Sequence, residues 1–117
     1  MPQALSASTM IGDDVRNPEG EELGQIEELM IDVTTGRIAY AVLSFGGFLC
    51  IGEKLFAVPW EALYLDLDEK VFVMDVDEET LEEAPDFDKD DWPATVSRDD
   101  AWLVTVYEFY ELEPYWE

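Results

Sequence analysis

Two residue types that enzymes use most for acid–base and nucleophilic chemistry are almost missing from this sequence. It contains no histidine, and its single cysteine is Cys50. Without histidine the chain lacks the commonest general base and the commonest transition-metal ligand. One cysteine forms no intramolecular disulfide and no cysteine-based metal site. Among 29 acidic residues no carboxylate pair stands out, so we expect a protein that is not an enzyme, with no catalytic residues and no cofactor.

Positive charge is also scarce. Six basic residues against 29 acidic ones give a formal net charge of −23 at pH 7. The basic residues are scattered along the chain, whereas binding to a phosphate backbone needs clustered lysine and arginine. Nucleic acid and anionic membrane surfaces are therefore excluded as partners. Basic proteins, cations and neutral apolar surfaces remain. So large a charge also opposes compaction at low salt, and high salt screens it.

The sequence has no long hydrophobic run. No stretch approaches the roughly 20 apolar residues that span a bilayer, and the longest candidate, 38–51, is interrupted by Gly46 and Gly47. The first residues, MPQALSASTMIGDD, have neither a basic region nor a long apolar stretch, so we expect no signal peptide. The expectation is a soluble protein with no transmembrane segment and, by default, a cytoplasmic location.

The residues that are present favour one domain rich in β-structure. The chain has 117 residues, of which 48% are hydrophobic, enough to bury a core. Neither face of 23–33 is cleanly apolar, which predicts a strand that twists or carries a bulge near 25–27. The stretch 37–45 is apolar on both faces and predicts a central strand, with Ile38 on the face of Tyr40. Alternation and turn residues predict strands at 15–16, 23–33, 37–45, 55–58, 64–67 and 71–74.

The composition changes after residue 76. Asp77 is placed to cap a short helix that ends before Pro85, and 86–93 is acidic and irregular. The spacing in 101–112 fits a helix or a strand, and the preceding Asp-Asp pair favours a helix. The chain is therefore divided into a flexible N-terminus at 1–8, a β-rich core at 9–76, and an acidic, aromatic C-terminal extension at 77–117 that packs on the core or on a partner subunit.

The order of residues across the β-rich core is similar to that of PRC-barrel domains. The resemblance rests on four stretches, which keep the family's order and spacing over more than half of the chain. They are MIG at 10–12, LGQIE at 23–27, GRIAYAVL at 36–43 and KLFAVPWEAL at 54–63.

The resemblance implies a mainly β fold, a small PRC β-barrel related to SH3-like barrels, with a short helical C-terminal appendage. The family takes its name from the cytoplasmic domain of the photosynthetic reaction-centre H subunit, and a similar domain occurs in the ribosome maturation factor. In both, the barrel is a binding or scaffolding module without a catalytic centre. With no transmembrane helix and no basic surface, this chain resembles the stand-alone bacterial and archaeal members. We expect an adaptor that binds an unknown protein partner and also itself, as a homodimer.

The predicted contact surface combines an apolar loop, barrel edges and an aromatic tail. The loop at 46–52 has glycine at both ends and exposes apolar side chains unless something covers them. The alternative is that the loop closes its own end of the barrel. Trp60 is expected to plug one end of the barrel core in preference to stacking on a ligand. An edge strand offers a second route, because another chain can extend it. The predicted interface residues are Phe45, Phe48, Leu49, Ile51, Leu55, Phe56, Trp60, Tyr110, Tyr115 and Trp116.

Asp86, Asp88 and Asp90 have the alternating carboxylates of a calcium loop. The sixth position, where glycine is required, is Asp91, and the twelfth is Ser97 instead of glutamate. The segment therefore fails as an EF-hand and is expected to be a solvated acidic loop, with weak Ca²⁺ or Mg²⁺ association left open. A cation-responsive, salt- or stress-related role of the acidic surface is the alternative function.

Overall fold

The structure is a computed structural model that describes residues 4–44, 54–88 and 101–116. Seven of its strands join in one sheet in the order β5-β6-β1-β2-β3-β4-β7, so the fold is mainly β, as predicted. The strands are β1 Asp14–Arg16, β2 Glu22–Asp32, β3 Arg37–Ser44, β4 Lys54–Val58, β5 Tyr64–Asp66, β6 Val71–Val73 and β7 Asp86–Asp88. The helices are α1 Ala7–Met10, α2 Glu78–Glu82 and α3 Ala101–Phe109, with a 3-10 turn at Trp60–Ala62.

The sheet must curl, because a short connection joins two strands that are far apart in it. β4 ends at Val58 and β5 begins at Tyr64, yet five strand-to-strand steps separate them in the sheet order. In a flat sheet those steps would span about 24 Å. The connecting chain reaches about 21 Å when fully extended, and the 3-10 turn Trp60–Ala62 shortens it further. The two ends of the sheet therefore approach one another, as in a barrel.

Strand β2 places side chains on one face at intervals of three residues. Leu23, Ile26 and Leu29 are all buried in the same core cluster, although strict alternation would put Ile26 on the opposite face. The pairing of β2 with β1 shifts once, and its pairing with β3 shifts between Ile26 and Glu28. Each extra residue turns the next apolar side chain back towards the core. The bulge predicted near 25–27 is confirmed.

Strand β3 is central, as predicted, because it pairs with both β2 and β4. Its alternation is interrupted at Ala39. Met30 pairs with Tyr40 and the next residue, Ile31, pairs with Ile38, so Ala39 is an extra residue in the ladder. Ile38 consequently packs in one cluster while Tyr40 lies in the other. The expectation that both share a face is wrong, since a bulge reverses the alternation beyond it.

Both faces of the sheet carry a hydrophobic core. The first cluster takes residues from α1 and α2, and α3 completes the second. The first contains Met10, Val15, Leu23, Ile26, Leu29, Ala41, Leu43, Phe56, Val58, Phe72, Met74, Leu81 and Ala84. The second contains Tyr40, Val42, Leu55, Ala57 and Val106.

The region after residue 76 confirms two helix predictions and corrects one loop prediction. Asp77 accepts a hydrogen bond from the Thr80 amide at 2.7 Å and caps α2, and the bonds from Thr80 lower the pKa of Asp77. The predicted helix at 101–112 is present as α3. Asp86–Asp88, expected to be irregular, forms β7 and pairs with β4. Acids at alternate positions of that segment match the two-residue period of a strand. Its acidity had instead favoured the prediction of a loop. The division into segments at 8/9 and 76/77 stays a prediction.

Candidate functional site

A cavity of about 280 Å³ lies where β3, the 3-10 turn and the C-terminal segment meet. Three of its six lining residues are aromatic, and the others are one basic, one acidic and one aliphatic. We call it the aromatic cavity, and it is lined by Arg37, Ile38, Trp60, Glu61, Tyr107 and Tyr115.

Tyr107 forms the buried wall of the aromatic cavity. It lies on α3, is only 1% exposed, and its hydroxyl donates a hydrogen bond of 2.6 Å to the carbonyl of Ala39. Ala39 is the extra residue of the β3 bulge, and a bulge interrupts the ladder hydrogen bonds at that point. The Tyr107 hydroxyl thus gives this irregular carbonyl a partner and ties α3 to the centre of the sheet.

Tyr115 forms the outer wall, and the β2–β3 hairpin fixes its orientation. Its hydroxyl donates a hydrogen bond of 2.6 Å to Oδ2 of Asp32 at the end of β2. The guanidinium carbon of Arg37, at the start of β3, lies 4.4 Å from the centre of the Tyr115 ring. Gly36 makes this tight hairpin possible, because its φ of 82° lies in the left-handed region. The ring of Tyr107 is edge-on to that of Trp116 at 5.2 Å.

The charges around the aromatic cavity are close together but partly hydrated. Arg37 and Glu61 approach to 3.7 Å, with about half of each side chain exposed. The hydrogen bond from Tyr115 lowers the pKa of Asp32 below its ordinary value. Burial, followed by the charge of Glu61, raises the pKa of Tyr107 to about 12. Burial and the bond to Asp32 raise the pKa of Tyr115 as well. Both phenols are therefore neutral donors at neutral pH.

The PRC-barrel domain profile matches residues 2–81, which is more than half of the chain. The chain belongs to the PRC-barrel family. This confirms the resemblance, and PRC-barrel domains are a non-catalytic β-barrel family of interaction modules. No curated protein matched the chain. The matched region of this PRC-barrel chain supplies four of the residues that line the aromatic cavity, whereas Tyr107 and Tyr115 come from the segment after it.

The structure distributes the predicted interface residues between core, cavity and tail. Leu55 and Phe56 are buried, one in each core cluster. Trp60 packs against the first cluster, edge-on to Phe72 at 5.7 Å, and lines the aromatic cavity. Tyr110 packs against both clusters. Tyr115 and Trp116 lie beside Tyr107. The loop at 46–52 lies outside the described residues, as do Phe45, Phe48, Leu49 and Ile51. A partner contact at any of these positions stays a prediction.

The described structure does not bring the three weak candidates for metal binding together in one site. Asp86 is partly buried in β7, Asp88 contributes the last backbone position of that strand, and Asp90 lies outside the described residues. Within 4–44, 54–88 and 101–116, no group of three or more potential ligands is arranged to hold a metal ion.

Two features of the structure were not predicted from the sequence. Tyr107 was noted as part of the aromatic C-terminus, but its place in a cavity with Arg37 and Glu61 was not predicted, because these residues are separated in the chain and only the fold brings them together. The side chains of Tyr64 and Leu67 are exposed at β5, the strand at one end of the sheet order. The sequence pattern predicted the β5–β6 hairpin but not the exposure of these two side chains. Among the helices that the structure describes, none is long and apolar enough to cross a bilayer.

Proposed function

We propose that this PRC-barrel chain is a non-enzymatic, cytoplasmic interaction module that forms a homodimer through the edge of its sheet and binds a further protein partner. The observation that carries the proposal is the state of β5. It lies at the end of the sheet order and pairs only with β6 among the described strands. Its first residue, Tyr64, is 71% exposed, and Leu67, which directly follows the strand, is half exposed.

An edge strand presents backbone N–H and C=O groups that a second strand can pair with. Tyrosine is enriched at protein interfaces because its ring adds contact area and its hydroxyl remains able to hydrogen-bond. β5 is short, and the following turn contains Asp68 and Glu69. Such acidic flanks oppose the continued addition of copies and favour a closed pair over a fibre. The loop at 46–52 remains part of the predicted contact surface.

Tyr64→Glu is expected to weaken self-association by about tenfold or more, because a central interface tyrosine is lost and a like charge is added. Size-exclusion chromatography with light scattering, over a protein dilution series at high salt, measures the effect. High salt is used because it screens the repulsion between two chains of charge −23.

Val33→Glu is the matched control, because Val33 is 88% exposed in the β2–β3 turn and the change adds the same charge. It should leave the dimer intact. Equal weakening by both variants would point to general repulsion and would exclude the β5 edge. A strict monomer at high protein concentration and high salt would refute self-association altogether.

The acidic surface favours a second candidate function, a response to cations or salt. Among the residues that the structure describes, the two ion pairs are Arg16–Glu69 at 3.3 Å and Arg37–Glu61 at 3.7 Å. Over the whole chain, six basic residues stand against 29 acidic ones. Repulsion among the excess carboxylates destabilises the compact state and is relieved by screening.

Raising KCl from low to near-molar concentration is expected to raise the melting temperature by about 5 °C or more, which corresponds to about 1 kcal/mol. Differential scanning fluorimetry measures it. A cation-responsive function further requires CaCl₂ to stabilise more than KCl at equal ionic strength. Equal curves for the two salts would reject that function and leave only general screening.

A further inference from the structure

We propose that the aromatic cavity binds an organic cation, either a free quaternary ammonium compound or a cationic side chain of a partner protein, through the Tyr115 ring and the Glu61 carboxylate. This site is separate from the β5 edge, and the proposal does not depend on self-association. The shared chemistry is a weakly hydrated positive group held against aromatic faces beside a carboxylate.

Arg37 shows that the ring face of Tyr115 accommodates a cation. Its guanidinium carbon lies 4.4 Å from the ring centre, within the range of about 6 Å over which the ring quadrupole attracts a positive charge. The same guanidinium approaches Glu61 at 3.7 Å. The chain's own arginine therefore makes the two contacts that an incoming cation would make.

Arg37 is weakly held and can give way. About half of its side chain and of that of Glu61 is exposed, and an exposed ion pair of this kind contributes little to stability. The long side chain of Arg37 can rotate outward and keep its guanidinium group hydrated. A ligand can therefore replace Arg37 over the ring without leaving a buried charge unpaired.

The electrostatics of the site favour a further positive charge. Asp32 and Glu61 bring two negative charges to this wall and Arg37 brings one positive charge. The whole chain, at −23, adds a field that attracts cations and repels anions. The three aromatic walls select against K⁺ and Na⁺, because small inorganic ions would lose hydration there without gaining oxygen ligands.

The walls are also held in place before any ligand arrives. The Tyr115 hydroxyl is fixed by Asp32 and the Tyr107 hydroxyl by the Ala39 carbonyl, each at 2.6 Å. Trp60 is braced edge-on against Phe72. Preorganised walls reduce the entropy lost on binding. The volume of about 280 Å³ lies just below the usual range for ligand pockets, which favours a small group such as trimethylammonium.

The proposal is tested by NMR titration of the whole chain with choline chloride, following the indole N–H signal of Trp60 as assigned with a Trp60→Phe variant. KCl at equal ionic strength and the uncharged tert-butyl analogue of choline serve as ligand controls. We expect saturable shifts with choline, none beyond screening with KCl, and affinity for the analogue lower by about fivefold. Equal responses to choline and KCl, or to choline and its analogue, would overturn the proposal.

Two variants act in opposite directions. Glu61→Gln removes the carboxylate and should weaken choline binding by about two- to fivefold, the range of an exposed ion pair. Arg37→Leu removes the competing charge and frees the ring face, so it should strengthen binding about twofold or more. Glu69→Gln is the matched control, because it breaks the Arg16–Glu69 pair with the same change of charge and should leave affinity unchanged.

Circular dichroism confirms that each variant is folded. Loss of choline binding in Arg37→Leu, together with phosphate binding in the natural chain, would identify an anion site and overturn the proposal.

A final arm separates the two sources of the cation. A short peptide carrying trimethyl-lysine is compared with choline in the same titration. Tighter binding of the peptide supports a protein partner, and equal affinity supports a free quaternary ammonium compound. Because Tyr64→Glu leaves the aromatic cavity intact, choline binding by that variant separates a failure of the dimer proposal from a failure of this one.

Discussion

Val106→Asp is expected to lower the free energy of unfolding by about 3 kcal/mol or more, because it places a charge in an apolar site. Val106 is fully buried on α3 and packs in the second core cluster, with residues of β3 and β4. An ionised aspartate there would have no basic partner among the described residues of that cluster. Urea denaturation followed by circular dichroism measures the change.

Val33→Asp is the control for this prediction, since it makes the same substitution at a position that is 88% exposed in the β2–β3 turn. We expect it to change stability by less than about 0.5 kcal/mol. A similar loss in both variants would mean that added negative charge, and not burial, causes the loss. No loss in Val106→Asp would mean that α3 does not cover this face. Release of α3 should also abolish choline binding, because Tyr107 leaves the aromatic cavity with it.

The second large effect is alkaline unfolding between about pH 10 and pH 12. Burial raises the pKa of Tyr107 from 10.0 to about 12, and burial also raises those of Tyr110 and Tyr115. In the unfolded chain tyrosine ionises near pH 10. The folded state therefore binds these protons more tightly than the unfolded state does.

The direction of the pH dependence follows from linkage. A group whose pKa is raised by folding contributes its full stabilisation below the unfolded value, near pH 10, and loses it as pH rises through the folded value. With three such tyrosines, and a discount for solvent screening, we expect a loss of about 1 kcal/mol from each. Of the chain's five tyrosines, at least three should ionise together with the loss of the far-ultraviolet circular dichroism signal. Ionisation of all five, measured by tyrosinate absorbance, while the β-structure remains would contradict the prediction.

Tyr110→Phe separates burial from hydrogen bonding. The Tyr110 hydroxyl is buried and finds no hydrogen-bond partner in the described structure, so its removal should move the alkaline midpoint upward without cost at neutral pH. Tyr107→Phe also removes an ionisable group but loses the bond to Ala39, so it should cost about 1 kcal/mol at neutral pH.

Local patterns predicted most strands of the fold but not the faces of all their residues. Turn residues such as Gly36 located the β2–β3 hairpin, because a positive φ leaves a strong compositional signal. The face of Ile38 was assigned wrongly because a bulge adds one residue without changing composition. β7 was not predicted because acids such as Asp86 and Asp88 are typical of a solvated loop. An edge strand is recognised mainly by the strand with which it pairs, here β4.

The sequence by itself determined the acidity, the near absence of catalytic residue types, the β-rich core and the PRC-barrel family, since each follows from composition or from contiguous stretches of chain. Only the tertiary structure decided where the aromatic tail packs and that it closes a cavity. The two bonds that fix that cavity join residues 68 and 83 positions apart. Contacts of such separation depend on the curl of the sheet and the packing of α3, and no local period in the sequence encodes them.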